Sequence, residues 1–150
     1  MFKKVSDILE YLQKVHEDVS DYYQRLADKE DKEKVQIFLD YLREHNDNLK
    51  EIIRRYEEEG DNSLLDTWIQ YSPQNTIRLE MEIIDFNPKM TIDEILEKAL
   101  ILDNWLENYY DYIAENAPST RLKEVFYNLY QSIHQDKLEL VSGFNSLKEM

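Results

Sequence analysis

Val5 to Asp28 reads VSDILEYLQKVHEDVSDYYQRLAD, and Ile92 to Glu115 reads IDEILEKALILDNWLENYYDYIAE. Laid in register, Ile8 falls on Ile95, Leu9 on Leu96, Glu10 on Glu97, Tyr22 on Tyr109, Tyr23 on Tyr110 and Ala27 on Ala114. Each copy carries apolar residues at steps of three and four, the spacing that lines one face of an α-helix. The chain therefore reads as an internal repeat, a doubled helical hairpin.

Outward from the first copy, a helix is expected over about residues 3–28, with Leu9, Leu12, His16, Val19, Tyr23 and Leu26 as its inner stripe. The polar break DKEDKEK separates it from a second helix over 33–59, with Val35, Phe38, Leu42, His45, Leu49, Ile52 and Tyr56 on one face. So short a break makes the two helices antiparallel neighbours. Gly60 reads as the stop of the second helix. From Gly60 to Met90 the helical pattern lapses, with Ser72-Pro73 and Asn87-Pro88 inside it. Leu64 to Gln70 reads as a short helix, whereas Leu79 to Phe86 fits either an extended or a helical segment. A connection of this length can travel along a bundle and start the next helix at the opposite end.

Thr91-Ile-Asp-Glu94 has the form of a capping box, in which hydroxyl and carboxylate satisfy free N–H groups at a helix start. It opens a third helix over 92–116, whose inner stripe is Leu96, Ala99, Asp103, Leu106, Tyr110 and Ile113. Leu100, Ile101, Leu102, Trp105, Tyr109 and Tyr112 make this helix apolar around much of its circumference, so the crossover or a second subunit is expected to cover it. A fourth helix follows over 119–148, with Leu122, Phe126, Leu129, Ile133, Asp136 and Leu140 inward. It matches the second helix best with Phe38 on Phe126, Ile52 on Leu140 and Tyr56 on Phe144. A register one residue later pairs His45 with His134 but loses apolar matches, and ranks second.

Composition bounds the function. At 150 residues the length suits a single domain that buries its own core. The absence of cysteine removes disulfides, thiolate metal sites and a cysteine nucleophile, and makes the cytoplasm the expected compartment. No leader and no membrane-length apolar run is read, so the chain is expected to be soluble. A net charge of −14 argues against nucleic acid and anionic membrane as partners, because both require a basic surface. Glycine-rich phosphate loops, a Ser/His/Asp order and H-E-x-x-H are missing, which leaves nucleotide, hydrolase and zincin readings without support.

Two antiparallel hairpins joined by one long crossover are the plan of an all-α, ferritin-like four-helix bundle. The phrase Tyr23-Gln-Arg-Leu-Ala27, the polar loop and Phe38 on the next helix resemble the rubrerythrin-type branch of the ferritin-like di-iron proteins. That branch places a glutamate eleven residues ahead of the alanine and Glu-x-x-His in the following helix. By this resemblance the four ligand stations fall on His16, on His45 to Asn48, on Asp103, and on Ile133 with Asp136. None keeps the residue type of the family, so the resemblance implies the fold and a diverged protein whose di-iron ligands are largely replaced.

His16, His45, Asp103 and Asp136 nevertheless sit on inward stripes, where ionisable groups are costly unless paired or metal-bound. Two readings stay open. The four residues pair with one another as a buried polar network that fixes helix register, and the protein is a binding or structural module with no cofactor expected. Alternatively they form a metal site for Fe, Zn or Mn in a redox or metal-handling protein of rubrerythrin or ferritin type. His134 reads as a surface or boundary residue and the paired tyrosines as core. The expected partner is a second copy, in a homodimer formed through the third helix and the crossover; no other protein partner is legible.

Overall fold

The computed structural model describes residues 2–70 and 90–149. Among these, the elements in order are β1 (Phe2–Lys4), α1 (Val5–Lys29), α2 (Glu33–Glu59), α3 (Asn62–Leu65), β2 (Trp68–Gln70), α4 (Ile92–Asn116) and α5 (Thr120–Lys148). The architecture is an all-α bundle of four long helices. No described helix is long and apolar enough to cross a membrane.

Helix directions follow from which residues meet. Between α1 and α2, Gln13 bonds Glu57 and Ser20 bonds Asp47, so numbers rise on one helix as they fall on the other. Between α4 and α5, Lys148 meets Asp93 while Lys137 meets Asn104. Phe38 on Phe144 and Tyr56 on Asn128 make α2 antiparallel to α5 as well. Helices α2 and α4 therefore run in the same direction. A connection between two parallel helices must return along the bundle, which accounts for the long stretch after Gly60.

That stretch starts differently from expectation. The short helix expected over 64–70 is instead α3, capped by Asp61 accepting from Leu64 N, followed by strand β2. Strand β2 pairs antiparallel with β1, Phe2 opposite Gln70 and Lys4 opposite Trp68, and Val5 N donates to Thr67 O at 2.9 Å. This pairing occupies residues 2–4, so α1 begins at Val5 rather than Lys3. The segment Leu79 to Phe86, expected as extended or helical, and most of the crossover lie outside the described residues.

The other ends agree closely with the spacing. Thr91 Oγ1 accepts from Glu94 N at 3.2 Å, although its hydroxyl turns to the Glu94 carboxylate instead of completing a full capping box. Ser119 is the N-cap of α5 rather than its first residue and accepts from Leu122 N. Gly60 caps α2 in extended backbone, where an added Cβ would stand 2.9 Å from Tyr56 O, so close approach and not a left-handed turn requires glycine.

The core differs from the expected stripe on α2. Its buried residues are Val35, Phe38, Leu39, Leu42, Asn46, Leu49 and Ile53, so Asn46 and Ile53 are buried where His45 and Ile52 were expected. Helix α2 packs α1 on one side and α5 on the other, and the two sides use neighbouring residues. Asp136 is likewise half-buried rather than fully inward. Leu102 and Tyr109 of the extra apolar surface on α4 are buried within the described residues, while Ile101 stays exposed.

Candidate functional site

Two polar clusters interrupt the apolar interior, one on each side of α2. On the α1 side, Asn46 Nδ2 donates to the His16 carbonyl at 2.5 Å and to Ser20 Oγ at 2.6 Å. Those two donations fix the amide, so Asn46 Oδ1 faces His16 Nδ1 at 2.6 Å and the imidazole must carry its proton there. The Ser20 hydroxyl donates in turn to Asp47 Oδ1 at 2.5 Å, ending the chain at an exposed carboxylate. His16 Nε2 is then a bare nitrogen, buried and without a hydrogen-bond partner among the described residues. Burial lowers the His16 pKa to about 4, against the hydrogen bond that the ring donates to Asn46 and the Asp47 charge, which raise it. The ring is neutral at pH 7.

On the α5 side, His45 Nδ1 and Asp136 Oδ1 meet at 2.5 Å. The His45 ring lies 4.1 Å, centroid to centroid, from Tyr41, whose hydroxyl donates to the Glu139 carbonyl at 2.9 Å. Gly143 makes room for this tyrosine, since a Cβ there would stand 2.9 Å from Tyr41 Cζ. Glu139 Oε2 is 3.9 Å from His45 Nδ1. One ligand atom each from His45, Asp136 and Glu139 lies within 4.8 Å of the others. Asp136 and Glu139 are three apart on α5 and share a face.

The His45–Asp136 pair stands between two spaces. Outside it is a groove of about 540 Å³ between α2 and α5, edged by amides that include Asn48, Asn128, Gln131 and Gln135. Inside it is a cavity of about 10 Å³, which Asp103, Tyr23 and Asn46 also line. That is room for roughly one water molecule.

Asp103 comes from α4 and is 7% exposed. Burial pushes its carboxyl well above the ordinary carboxylate range, the Asp136 and Glu107 charges add to the push, and Lys137 opposes it. Lys137 itself is held by Asn104 Oδ1 at 2.7 Å and Glu107 Oε2 at 2.9 Å. Burial raises Asp136 too, against the hydrogen bond and charge of His45. Burial followed by the Asp103 charge raises the phenols of Tyr23 and Tyr110, which stay protonated. Neighbouring carboxyls of this kind titrate together and hold a proton to unusually high pH.

The four residues singled out in the sequence are thus only partly assembled. His45 and Asp136 are in contact, Asp103 lines the cavity beside them, and His16 belongs to the other cluster with Asn46. Asn46, Ser20, Tyr23 and Glu139 join the clusters without having stood out as site residues in the sequence. His134 is an exposed surface residue, with Nδ1 3.3 Å from Glu107 Oε1.

No protein-family model matches this sequence, and no curated protein matches it. Among solved structures, it superposes with a Thermotoga maritima protein whose crystal structure is described, provisionally, as that of a ferritin-like diiron-carboxylate protein. The TM-score is 0.66, the identity 17%, and the match covers 95% of each chain. The fold is ferritin-like. At that identity the ferritin-like likeness carries the architecture alone, and the chemistry has to be read from this chain's own residues.

Proposed function

We propose that this chain is a diverged ferritin-like protein of rubrerythrin type, without a carboxylate-bridged metal pair, that serves as a binding or structural module. The observation that carries the reading is the donor set at the four stations. Ile133 is 0% exposed at one of them and has no ligand atom. His16 spends Nδ1 on Asn46, and His45 is engaged by Asp136. A bridged pair of ions needs several inward carboxylates, whereas among the described residues only Asp103 and Asp136 border the cavity of about 10 Å³. The residues present do not fit that group.

In this reading the two clusters set the register of α2 against its neighbours. Buried polar networks act this way because any shifted packing leaves donors and acceptors unpaired. Untagged protein grown with iron, zinc and manganese and purified without chelator tests the reading by elemental analysis. Fewer than two metal ions per chain in a cooperatively folding protein is the expected result, and two bound iron ions would overturn it.

A second reading, metal handling with His45 and Asp136 as ligands, is favoured by one observation. Glu139, which no family station demands, brings a third ligand atom to that pair.

A further inference from the structure

We propose that His45, Asp136 and Glu139 form a site for one exchangeable divalent cation of the zinc, manganese and iron(II) class, at the rim of the α2–α5 groove rather than in the bundle core. This deepens the second reading and rests on it. Three observations converge. The ligand atoms already lie within 4.8 Å of one another, so an ion at their centre needs only small side-chain movements. The local charge calls for a dication: Asp136 and Glu139 stand against one imidazole, while Lys137 is engaged by Asn104 and Glu107. The groove of about 540 Å³ supplies room for water to complete the coordination sphere.

The donor set selects the class of ion. One imidazole nitrogen with two carboxylates suits borderline cations, whereas calcium and magnesium prefer all-oxygen shells. Three protein ligands leave open positions, and those positions face the groove. Glu139 is half exposed, with its side chain 51% accessible, so the ion reaches solvent without the bundle opening. On binding, the proton between His45 Nδ1 and Asp136 Oδ1 is displaced, to solvent or, in a neutral imidazole, to Nε2, and both atoms turn to the metal. No electron transfer is involved.

Equilibrium dialysis of untagged, chelator-treated full chain against zinc, and separately manganese and magnesium, tests this with the ion-to-chain ratio as readout. One zinc per chain is expected, bound more tightly than manganese, with no magnesium held. Glu139→Gln and His45→Gln should each weaken zinc binding about tenfold or more. Glu139 lies at the rim, so its variant reports on binding and not on folding. Asp103→Asn and His16→Gln should leave the ratio at one. Zinc binding unchanged in Glu139→Gln, or lost in Asp103→Asn, overturns the rim site. No bound ion overturns the rim site and the metal-handling reading but leaves the module reading standing, whereas two ions lost together in Asp103→Asn and His16→Gln overturn the module reading as well.

Discussion

His45 and Asp136 lie 91 residues apart in the chain and meet at 2.5 Å between the outer groove and the inner cavity. Their contact ties the second half of the bundle to the first at mid-height on α2. Its coupling energy is measurable by a double-mutant cycle of His45→Gln and Asp136→Asn in urea unfolding. The two changes should be non-additive by about 0.5–3 kcal/mol, the range for residues in direct contact. His16→Gln paired with Asp136→Asn should add within about 0.5 kcal/mol, because those residues belong to separate clusters. Additivity in the first cycle would sink the idea that the pair couples the helices.

Asn46 makes the corresponding connection to α1. Asn46→Ala leaves the His16 ring N–H without its acceptor and removes the second partner of the His16 carbonyl and a donor to Ser20 Oγ. One stranded buried group costs about 1–3 kcal/mol and each lost hydrogen bond about 0.5–1.5 kcal/mol, so a loss of about 2–5 kcal/mol is expected from urea midpoints. Asn46→Asp tests the direction of the bonds. It replaces the donor to the His16 carbonyl and Ser20 with an acceptor, and should be no better than alanine at pH 7. A near-neutral Asn46→Asp would show that the assigned amide orientation is wrong.

The sign of the His16 effect follows from its lowered pKa of about 4 against the ordinary 6.5. Below pH 6.5 the unfolded chain takes up a proton that the folded chain refuses, so stability falls as pH drops to about 4 and the loss then levels off. The full loss is about 3 kcal/mol, because tenfold weaker proton binding in the folded state costs about 1.4 kcal/mol. The charges facing the ring are Asp47, which favours the proton, and Lys50, which opposes it. His16→Gln removes this contribution while the carboxyl groups elsewhere cancel in the difference. Wild type minus variant should therefore decline between pH 6.5 and 4, as read by unfolding free energies at each pH. Parallel curves would be incompatible with a buried neutral His16.

Much of this was legible in the sequence. The three-and-four spacing placed all four long helices within two residues of their observed ends, and Thr91 and Ser119 marked the starts of α4 and α5. The β1–β2 pairing was not legible, because three-residue strands carry no periodic signal and their contact is non-local. On α2, the stripes Leu42-His45-Leu49-Ile52 and Leu42-Asn46-Leu49-Ile53 both obey helical spacing and share two residues. Only the presence of α1 on one side and α5 on the other shows that both are used. Glu139 was missed for a related reason: a glutamate on a half-exposed helix face looks like any solvated residue until its partner at 3.9 Å is known.

Asp103 titrates with the opposite sign to His16. Its carboxyl is held well above 3.8, chiefly by burial, so the folded state keeps a proton that the unfolded state releases. The stability it contributes is present at low pH and is lost as pH rises through the folded value. Asp103→Asn preserves the shape of the side chain but carries no proton to lose. The variant should therefore gain on wild type as pH rises from about 4 to 8, with the two converging at the acid end. Thermal unfolding of both proteins across that range, with chelator present so that no cation intervenes, measures the difference. A gap that does not widen with pH would mean that Asp103 ionises as freely in the folded state as in the unfolded chain, and that burial does not hold its proton.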